Sequence, residues 1–276
     1  MAKLGAHVSI AGGYEQALKK ISIMGGNCLQ IFSTSPRGWN FAAITSSEEN
    51  SFKAQNKTLK INPIYFHASY LINLADEGRI GHLSKLSLIA EMNIAKKIGV
   101  KGSIIHLGSY KKEKTSIKYS ILIKNIKEIL DKTTECLFII ENAGNHKIGQ
   151  SPEEITEIVE DVDNNRVRIC FDTCHLHATG FDIRTEQKLS DFLKKLNGMI
   201  GLNKLELFHV NDSRDDFGSF RDRHDNIGQG KIGLESFRVL LNHPQTKRLP
   251  FIIEVPGFDG NGPDKKNLDI LKDLIE

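Results

Sequence analysis

The sequence predicts an α/β protein built as a single (β/α)8 barrel, the TIM-barrel architecture, over residues 1–276. Short apolar runs alternate with helical segments along the whole chain, and metal-binding residue types recur where those runs end. The runs are nearly continuous in apolar residues, as expected for parallel strands that are buried on both faces. The length of 276 residues also suits one such barrel. An open, doubly wound sheet is the structural alternative.

Eight strands are predicted, with helices between them. The predicted strands are Lys3–Ser9, Cys28–Phe32, Ile64–His67, Ser103–His106, Leu137–Glu141, Val167–Asp172, Lys204–Val210 and Phe251–Val255. The helices with the strongest signals are Tyr14–Met24, Ile80–Ile98, Gly233–Leu241, Asp264–Ile275 and one that starts at Ser151. Ser151 is a typical N-cap, and proline follows it at the first helical position. The stretch 211–232 is predicted to be a functional loop, since it is long and rich in Gly, Asp and Arg.

Composition describes an ordinary cytoplasmic globular protein. The net charge is only +3, so any nucleic acid would have to be bound by a local basic surface. No signal peptide is expected, because MAKLGAHVSIAGG has neither a long apolar region nor a cleavage site. No membrane-spanning segment is expected, because the sequence has no apolar stretch of about 18 residues. The four cysteines form no CxxC pair and are expected to be reduced thiols.

Nine residues with nitrogen or oxygen donors lie at or near the ends of the apolar runs. They are His67, His106, Glu141, Asp172, His175, His209, Asp222, His224 and Glu254. Taken alone, a histidine such as His67 is more often a core or loop residue. Active sites of (β/α)8 barrels are built at the carboxyl ends of the strands, where all nine are predicted to meet. Nine donors are too many for one zinc ion, which takes four ligands, so the count predicts a metal cluster.

Local sequence supports several of these assignments. Glu141 and Glu254 each close an apolar run, and a buried carboxylate without a metal or a basic partner is costly. Asp222 and His224 are two residues apart, so in extended backbone their side chains point the same way.

The DTCH turn carries two more donors. Asp172 and His175 lie close enough in this turn to reach one site. Cys170 and Cys174 bracket the sequence FDT around Asp172 and are alternative ligands, but the carboxylate and the imidazole fit better. His7, at the end of the first strand, is expected to support the ligands rather than to bind metal.

Imidazole and carboxylate ligands together suit zinc best, with manganese or iron as alternatives at some sites. Neighbouring ions bridged by a carboxylate are typical of phosphodiester hydrolysis. The sequence has neither a Walker-type loop nor a GxGxxG loop.

These motifs resemble the endonuclease IV family, the zinc-dependent apurinic/apyrimidinic (AP) endonucleases. The resemblance runs nearly end to end, through GAHVSIAGG, QIFSTSPRGW, HASYLINLA, IIHLGS, IIENAG, CFDTCHLHATGFDIRT, FHVNDSRDDFGSFRDRHDNIGQGKIG and IIEVPG. The two long motifs are close to diagnostic when they occur together. One departure is ENAGNHKIG, where the family usually has ENTAGQG and a longer loop.

The resemblance implies a barrel that holds three zinc ions. It assigns His67, His106 and Glu141 to the first ion, Glu141, Asp172, His209 and Glu254 to the second, and His175, Asp222 and His224 to the third. Glu141 would be catalytic, because it bridges two ions and positions the attacking hydroxide.

The resemblance also implies hydrolysis of duplex DNA on the 5′ side of an abasic site. The products would be a 3′-hydroxyl and a 5′-deoxyribose phosphate, and blocked 3′ ends would also be trimmed. The family extrudes the abasic nucleotide from the helix, which is cheapest where pairing and stacking are already lost. Arg37 in SPRGW and Tyr70 in HASYLINL match DNA-contacting positions. The expected state is a monomer.

Two other functions compete with this one. A xylose-isomerase-like sugar isomerase or epimerase would need only Glu141, Asp172, His209 and Glu254. A non-enzymatic DNA- or metal-binding module would be indicated by an incomplete ligand set, and here the set is complete.

Overall fold

A closed barrel of eight parallel strands forms the centre of the protein in a computed structural model, which describes residues 2–276. The strands are β1 Lys3–His7, β2 Cys28–Phe32, β3 Ile64–His67, β4 Gly102–Ile105, β5 Leu137–Glu141, β6 Val167–Asp172, β7 Leu205–His209, β8 Asp212–Ser213, β9 His224–Asp225 and β10 Pro250–Ile253. Strands β1 to β7 pair in chain order, and β10 closes the ring between β7 and β1. The predicted fold class is therefore confirmed, and the open sheet is wrong.

Several strand ends differ from the prediction by one or two residues. His106 and Glu254 were predicted inside strands, but they lie just beyond β4 and β10. Glu254 leaves the ladder because its backbone N–H donates to the side chain of Asn211, at 2.7 Å, instead of to a strand. The two short strands β8 and β9 lie outside the barrel and pair antiparallel, within the predicted functional loop.

Helices separate the barrel strands. They are α1 Tyr14–Ile23, α2 Ser46–Leu59, α3 Arg79–Ile98, α4 Ser116–Asp131, α5 Pro152–Val162, α6 Thr173–Ala178, α7 Glu186–Met199, α8 Leu234–Asn242 and α9 Lys265–Asp273. The predicted N-cap is present, since Ser151 accepts a hydrogen bond from the backbone N–H of Glu154 at 3.1 Å. Among the described residues, no helix has both the length and the apolar character needed to cross a membrane.

The interior of the barrel is packed, not hollow. Seven buried side chains fill it, namely Cys28, Tyr65, Ile104, Ile139, Cys170, Leu207 and Ile252. A larger apolar core lies between the strands and the helices. At the amino end of the strands, the Tyr65 hydroxyl donates to Glu206, at 2.5 Å, and Lys101 pairs with the same carboxylate. This end is filled, so the predicted site can only open at the opposite, carboxyl end of the strands.

Candidate metal centre

The nine predicted ligands meet at the carboxyl rim of the barrel. They form overlapping groups in which the donor atoms lie within 4.8 Å of one another. Three of the groups are His67–His106–Glu141, Glu141–Asp172–His209–Glu254 and His175–Asp222–His224. The structure thus brings the residues together in the same three sets that the family resemblance implies. That each set holds a metal ion stays a prediction.

Glu141 belongs to two of the groups. Its Oε2 lies 3.1 Å from Nε2 of His67 and 3.4 Å from Nε2 of His106. Its Oε1 lies 3.0 Å from Nδ1 of His209. The two oxygens of one fully buried carboxylate therefore face two different sets of donors.

Asp172 is oriented by the short helix that follows it. Its Oδ1 caps α6 by accepting hydrogen bonds from the backbone N–H groups of Cys174, at 2.7 Å, and His175, at 3.1 Å. Its Oδ2 is left to face the site, 3.9 Å from Nδ1 of His209 and 3.5 Å from Nε2 of His224. Asp172 thus lies between the second group and the third.

The third group is supplied by α6, by the loop between β8 and β9, and by the first residue of β9. Oδ1 of Asp222 lies 3.0 Å from Nε2 of His175 and 3.4 Å from Nε2 of His224. Asp222 and His224 reach the same site across one intervening residue, as their spacing predicts. That residue, Arg223, faces away and binds Asp215 through its guanidinium, with Nε 2.7 Å from Oδ2.

Backbone carbonyls select the nitrogen that each of three imidazoles presents to the site. The Nδ1 atoms of His67, His175 and His224 lie 2.8, 2.9 and 3.3 Å from the carbonyl oxygens of Ala68, Asn142 and Glu254. A carbonyl can only accept, so each Nδ1 carries a proton and each Nε2 is the nitrogen that faces the other donors of the site.

The donor set fits zinc. In a tetrahedral site with zinc–nitrogen bonds of about 2.0–2.1 Å, two donors lie about 3.3 Å apart. The Nε2 atoms of His67, His106, His175 and His224 lie 3.0–3.4 Å from their closest carboxylate oxygens. Nε2 of His224 is buried without a hydrogen-bond partner, although it faces two carboxylates. A bound cation would satisfy this atom.

Charge within the cluster is strongly coupled. Burial opposes ionisation of Glu141, but the imidazoles of His106 and His209 hold its pKa well below the usual range. Burial also opposes protonation of His175, yet Asp172 and Asp222 raise its pKa to about 10. Burial lowers the pKa of His106 to about 4. Since the pKa of Glu141 is so low, this shared ligand is ionised at neutral pH, as a metal ligand must be.

The two thiols of the CFDTCH stretch, Cys170 and Cys174, differ from the other donors. Cys174 is close enough to Asp172 and His224 to form a further group of metal-binding types. Burial raises the pKa of the Cys174 thiol far above its ordinary value and that of Cys170 to about 12. Both thiols therefore stay protonated and are weak ligands at neutral pH.

Sequence reasoning missed the amides that orient the ligands. Asn211 donates from Nδ2 to Asp172, at 2.6 Å, and accepts the backbone N–H of Glu254 at 2.7 Å. Asn142 accepts the backbone N–H of Asp172 at 2.7 Å. Gln30 contacts two ligands from inside the barrel. The available signal was a polar amide within or directly after an apolar run, in CLQIF, IIEN and FHVN.

His7 occupies the supporting position expected for it. Its Nδ1 lies 3.1 Å from Oε1 of Glu254, and it belongs to none of the metal-binding groups. It lines the same cavity as the ligands, which has a volume of about 460 Å³.

Arg37 and Tyr70 lie beside the metal-binding groups. Both line a second cavity of about 810 Å³ next to the first, and Tyr70 lines both cavities. Tyr70 is 63% exposed, and its ring packs edge-on against Phe32 at 5.4 Å between centroids. Ser69 donates to the carbonyl of Pro36 at 2.8 Å and so joins the two loops that carry Arg37 and Tyr70.

The unusual ENAGNHKIG loop packs directly against the third group. A Cβ atom on Gly144 would lie 2.8 Å from Cδ2 of His175 and 3.1 Å from Cβ of Asp222, so only glycine allows this approach. At the outer side of the loop, the His146 ring stacks on Phe220 with 4.7 Å between centroids. The departure from the family pattern therefore leaves the loop in contact with the ligands.

Comparison with known proteins agrees with the fold and with the family resemblance. Residues 18–274 match the family model described as a xylose isomerase-like TIM barrel, which defines the class of the protein. A probable endonuclease 4 of Thermosipho africanus is 35% identical, over 100% of this chain and 99% of the relative. One of Thermosipho melanesiensis is 36% identical, over 93% of each chain. Within that class, the chain belongs to the endonuclease IV family.

Solved structures give the same assignment. The crystal structure of endonuclease IV from Thermus thermophilus superposes with a TM-score of 0.86 at 30% identity, covering 99% of this chain and 98% of the other. A D-tagatose 3-epimerase-like protein superposes with a TM-score of 0.75 at 19% identity, covering 98% and 96%. The second likeness shows the shared fold alone.

Proposed function

We propose that this protein is a DNA-repair AP endonuclease (deoxyribonuclease IV) that hydrolyses the phosphodiester bond on the 5′ side of abasic sites in duplex DNA. The products are a 3′-hydroxyl and a 5′-deoxyribose phosphate, and the same site trims blocked 3′ ends. The observation that carries the proposal is the nine-donor cluster, in which Glu141 joins two groups of ligands. Membership of the endonuclease IV family supports it.

Three zinc ions are the proposed cofactor, one for each group of donors. Glu141 is the ligand shared between the first two ions, and Asp172 faces both the second group and the third. When bound, such ions polarise a phosphoryl oxygen, activate water at neutral pH and offset charge on the leaving oxygen. The protein contributes by fixing donors before the substrate arrives, through carbonyl or amide hydrogen bonds to six of the nine ligand side chains, namely His67, Asp172, His175, His209, His224 and Glu254.

The proposed partner is duplex DNA with an abasic site, bound by one copy of the chain as a single domain over residues 1–276. An extruded sugar-phosphate would enter the cavity lined by the ligands. Tyr70 lines that cavity, and both Tyr70 and Arg37 line the cavity beside it, so both could contact the DNA strand that flanks the extruded nucleotide. Extrusion selects the lesion, because an abasic nucleotide has no base to unstack.

Sugar isomerisation or epimerisation is the weaker function. It is supported by the shared fold and by the group Glu141–Asp172–His209–Glu254. It leaves His67, His106, His175, Asp222 and His224 without a role, although all five lie within metal-binding distance of one another or of Glu141.

An incision assay tests the proposal. The wild-type protein should nick a labelled duplex 5′ to a single abasic site, leave 3′-hydroxyl ends, and leave an intact duplex uncut. The Glu141→Gln variant should lose more than about 100-fold in rate, since loss of a shared ligand should exceed loss of a supporting partner. Glu91→Gln is the matched control, because Glu91 is an equally buried carboxylate outside the cluster.

Two results would count against the proposal. Turnover of ketoses without any nicking would favour the epimerase function. Equal incision rates for Glu141→Gln and the wild type would remove the cluster from the reaction.

A further inference from the structure

Gln30 is a buried amide placed directly beneath the second group of ligands. It lies in the middle of β2, its side chain is fully buried, and it is the only polar residue of CLQIF. A primary amide in this position needs hydrogen-bond partners, since an unpaired buried amide is costly. Its partners are residues of the metal centre.

The neighbours of Gln30 fix the orientation of its amide. Nε2 lies 2.5 Å from Oε1 of Glu254 and 2.8 Å from Nδ1 of His7, and Oε1 lies 2.7 Å from Nε2 of His209. An ionised carboxylate can only accept, so the amide NH₂ must face Glu254. The amide oxygen therefore faces His209, and Nε2 of His209 must be the donor.

Among the four ligand histidines that donate a ring N–H to an amide or carbonyl oxygen, His209 alone donates from Nε2. His67, His175 and His224 each donate from Nδ1 to a carbonyl and present Nε2. His209 donates from Nε2 and presents Nδ1. That Nδ1 lies 3.0 Å from Oε1 of Glu141 and 3.5 Å from Oε2 of Glu254.

We propose that Gln30 is a positioning residue for the second metal site. It holds His209 in the tautomer that presents Nδ1 to Glu141, Asp172 and Glu254, and it orients the Glu254 carboxylate through the other end of the same amide. One side chain thereby sets the geometry of two ligands of one ion. The inference rests on the proposed zinc centre, but its test uses metal binding and needs no DNA.

The test compares three variants of the full-length protein by zinc competition against a chelator. Gln30→Met removes both contacts, and Gln30→Glu keeps an oxygen facing His209. Tyr65→Phe is the matched control, because it breaks an equally buried hydrogen bond at the opposite end of the barrel. Gln30→Met should weaken one zinc by about 10–100-fold, as expected for loss of a supporting partner, and Tyr65→Phe should weaken none.

Nitrogen-15 NMR of the zinc-loaded protein, labelled in histidine, shows which ring nitrogen of each imidazole is protonated. A purely structural role of Gln30 would leave this pattern unchanged. The wild type and Gln30→Glu should show one imidazole bound through Nδ1 with its proton on Nε2, and Gln30→Met should lose that pattern. The inference is overturned if Gln30→Met keeps its zinc affinity within about twofold. It is equally overturned if Gln30→Met weakens every zinc to the same extent, or if Gln30→Glu loses the Nδ1 pattern.

The failure of this inference is distinguishable from that of the proposed function. A wild-type protein that binds zinc as expected but leaves abasic DNA uncut contradicts the function, and the Gln30 comparison still stands. A wild-type protein that binds no zinc in the second group contradicts both.

Discussion

At the scale of single residues, the charge of the neighbouring groups gives two buried carboxylates different roles. Glu141 and Glu91 are both buried carboxylates, but their surroundings differ in charge. Glu141 is surrounded by imidazoles that hold its pKa well below the usual range. Glu91 meets only the hydroxyls of Ser33 and Ser103, and burial raises its pKa to about 7. The first is therefore suited to bind cations, and the second stays largely protonated in mildly acidic solution.

Glu91 should make stability depend on pH. Its pKa in the folded protein, about 7, lies above the ordinary value of 4.5, so the folded state holds this proton more tightly than the unfolded state. The stabilisation is complete below pH 4.5 and is lost as the pH rises through 7, by about 3 kcal/mol in all. Glu91→Gln should lack this loss and be the more stable protein at pH 8. Denaturant unfolding at pH 5 and pH 8 measures the free energy of unfolding of both proteins. A free energy that changes with pH equally in the variant and the wild type would contradict this role of Glu91.

At the scale of elements, the loop after β7 is held by one buried carboxylate. Asp212 accepts four backbone N–H groups, from Ser213 at 2.8 Å, Gly228 at 3.0 Å, Gly230 at 3.1 Å and Ile232 at 2.9 Å. A Cβ on Gly230 would lie 2.4 Å from the carbonyl oxygen of Ser213, so only glycine allows the two backbone segments to approach this closely. The closed loop also pairs β8 with β9, which begins at the ligand His224.

Loss of the Asp212 carboxylate should loosen the third metal group alone. Asp212→Asn replaces one acceptor oxygen with a donor, so about two backbone N–H groups lose their partner, at about 1–3 kcal/mol each. Elemental analysis should show about two zinc ions per chain instead of three, and anomalous diffraction should show the missing ion at the group that contains Asp222 and His224. Asp216→Asn is the control, since that carboxylate lies in the same loop and is 89% exposed. Full zinc content in Asp212→Asn would show that the loop does not depend on this residue.

The barrel and the positions of the nine donors could be predicted from the sequence, because both follow from patterns among residues that are close in the chain. Glu141 and Glu254 close apolar runs, and Asp222 and His224 have a spacing that brings them to one site. The supporting amides have a local signal, since each lies within or directly after an apolar run, but their role could not be predicted because their partners are remote in the chain. Gln30 binds residues 179 and 224 positions away, which no local pattern reveals.

At the scale of the whole molecule, charge is nearly balanced, yet the proposed substrate is a polyanion. The net charge of +3 gives little general attraction for DNA. Binding must then come from cations placed around the rim, such as Arg37 beside the cavity.

DNA affinity should therefore fall steeply with salt, by about 0.9 log unit per tenfold rise in salt for each phosphate contacted. Fluorescence anisotropy with an abasic duplex in the presence of a catalytically inactive variant measures this slope. An intact duplex of the same length should show a similar slope with weaker binding. A slope near zero for the abasic duplex would argue against an extended contact with the DNA backbone.

We propose that nine side chains at the barrel rim hold three zinc ions around a shared Glu141. Anomalous X-ray diffraction from crystals of the zinc-loaded protein, recorded on both sides of the zinc edge, tests it most directly. The account predicts three peaks, one in each of the groups His67–His106–Glu141, Glu141–Asp172–His209–Glu254 and His175–Asp222–His224. A single peak in the second group, with none beside His67 or His224, would contradict it and favour a sugar-epimerase site.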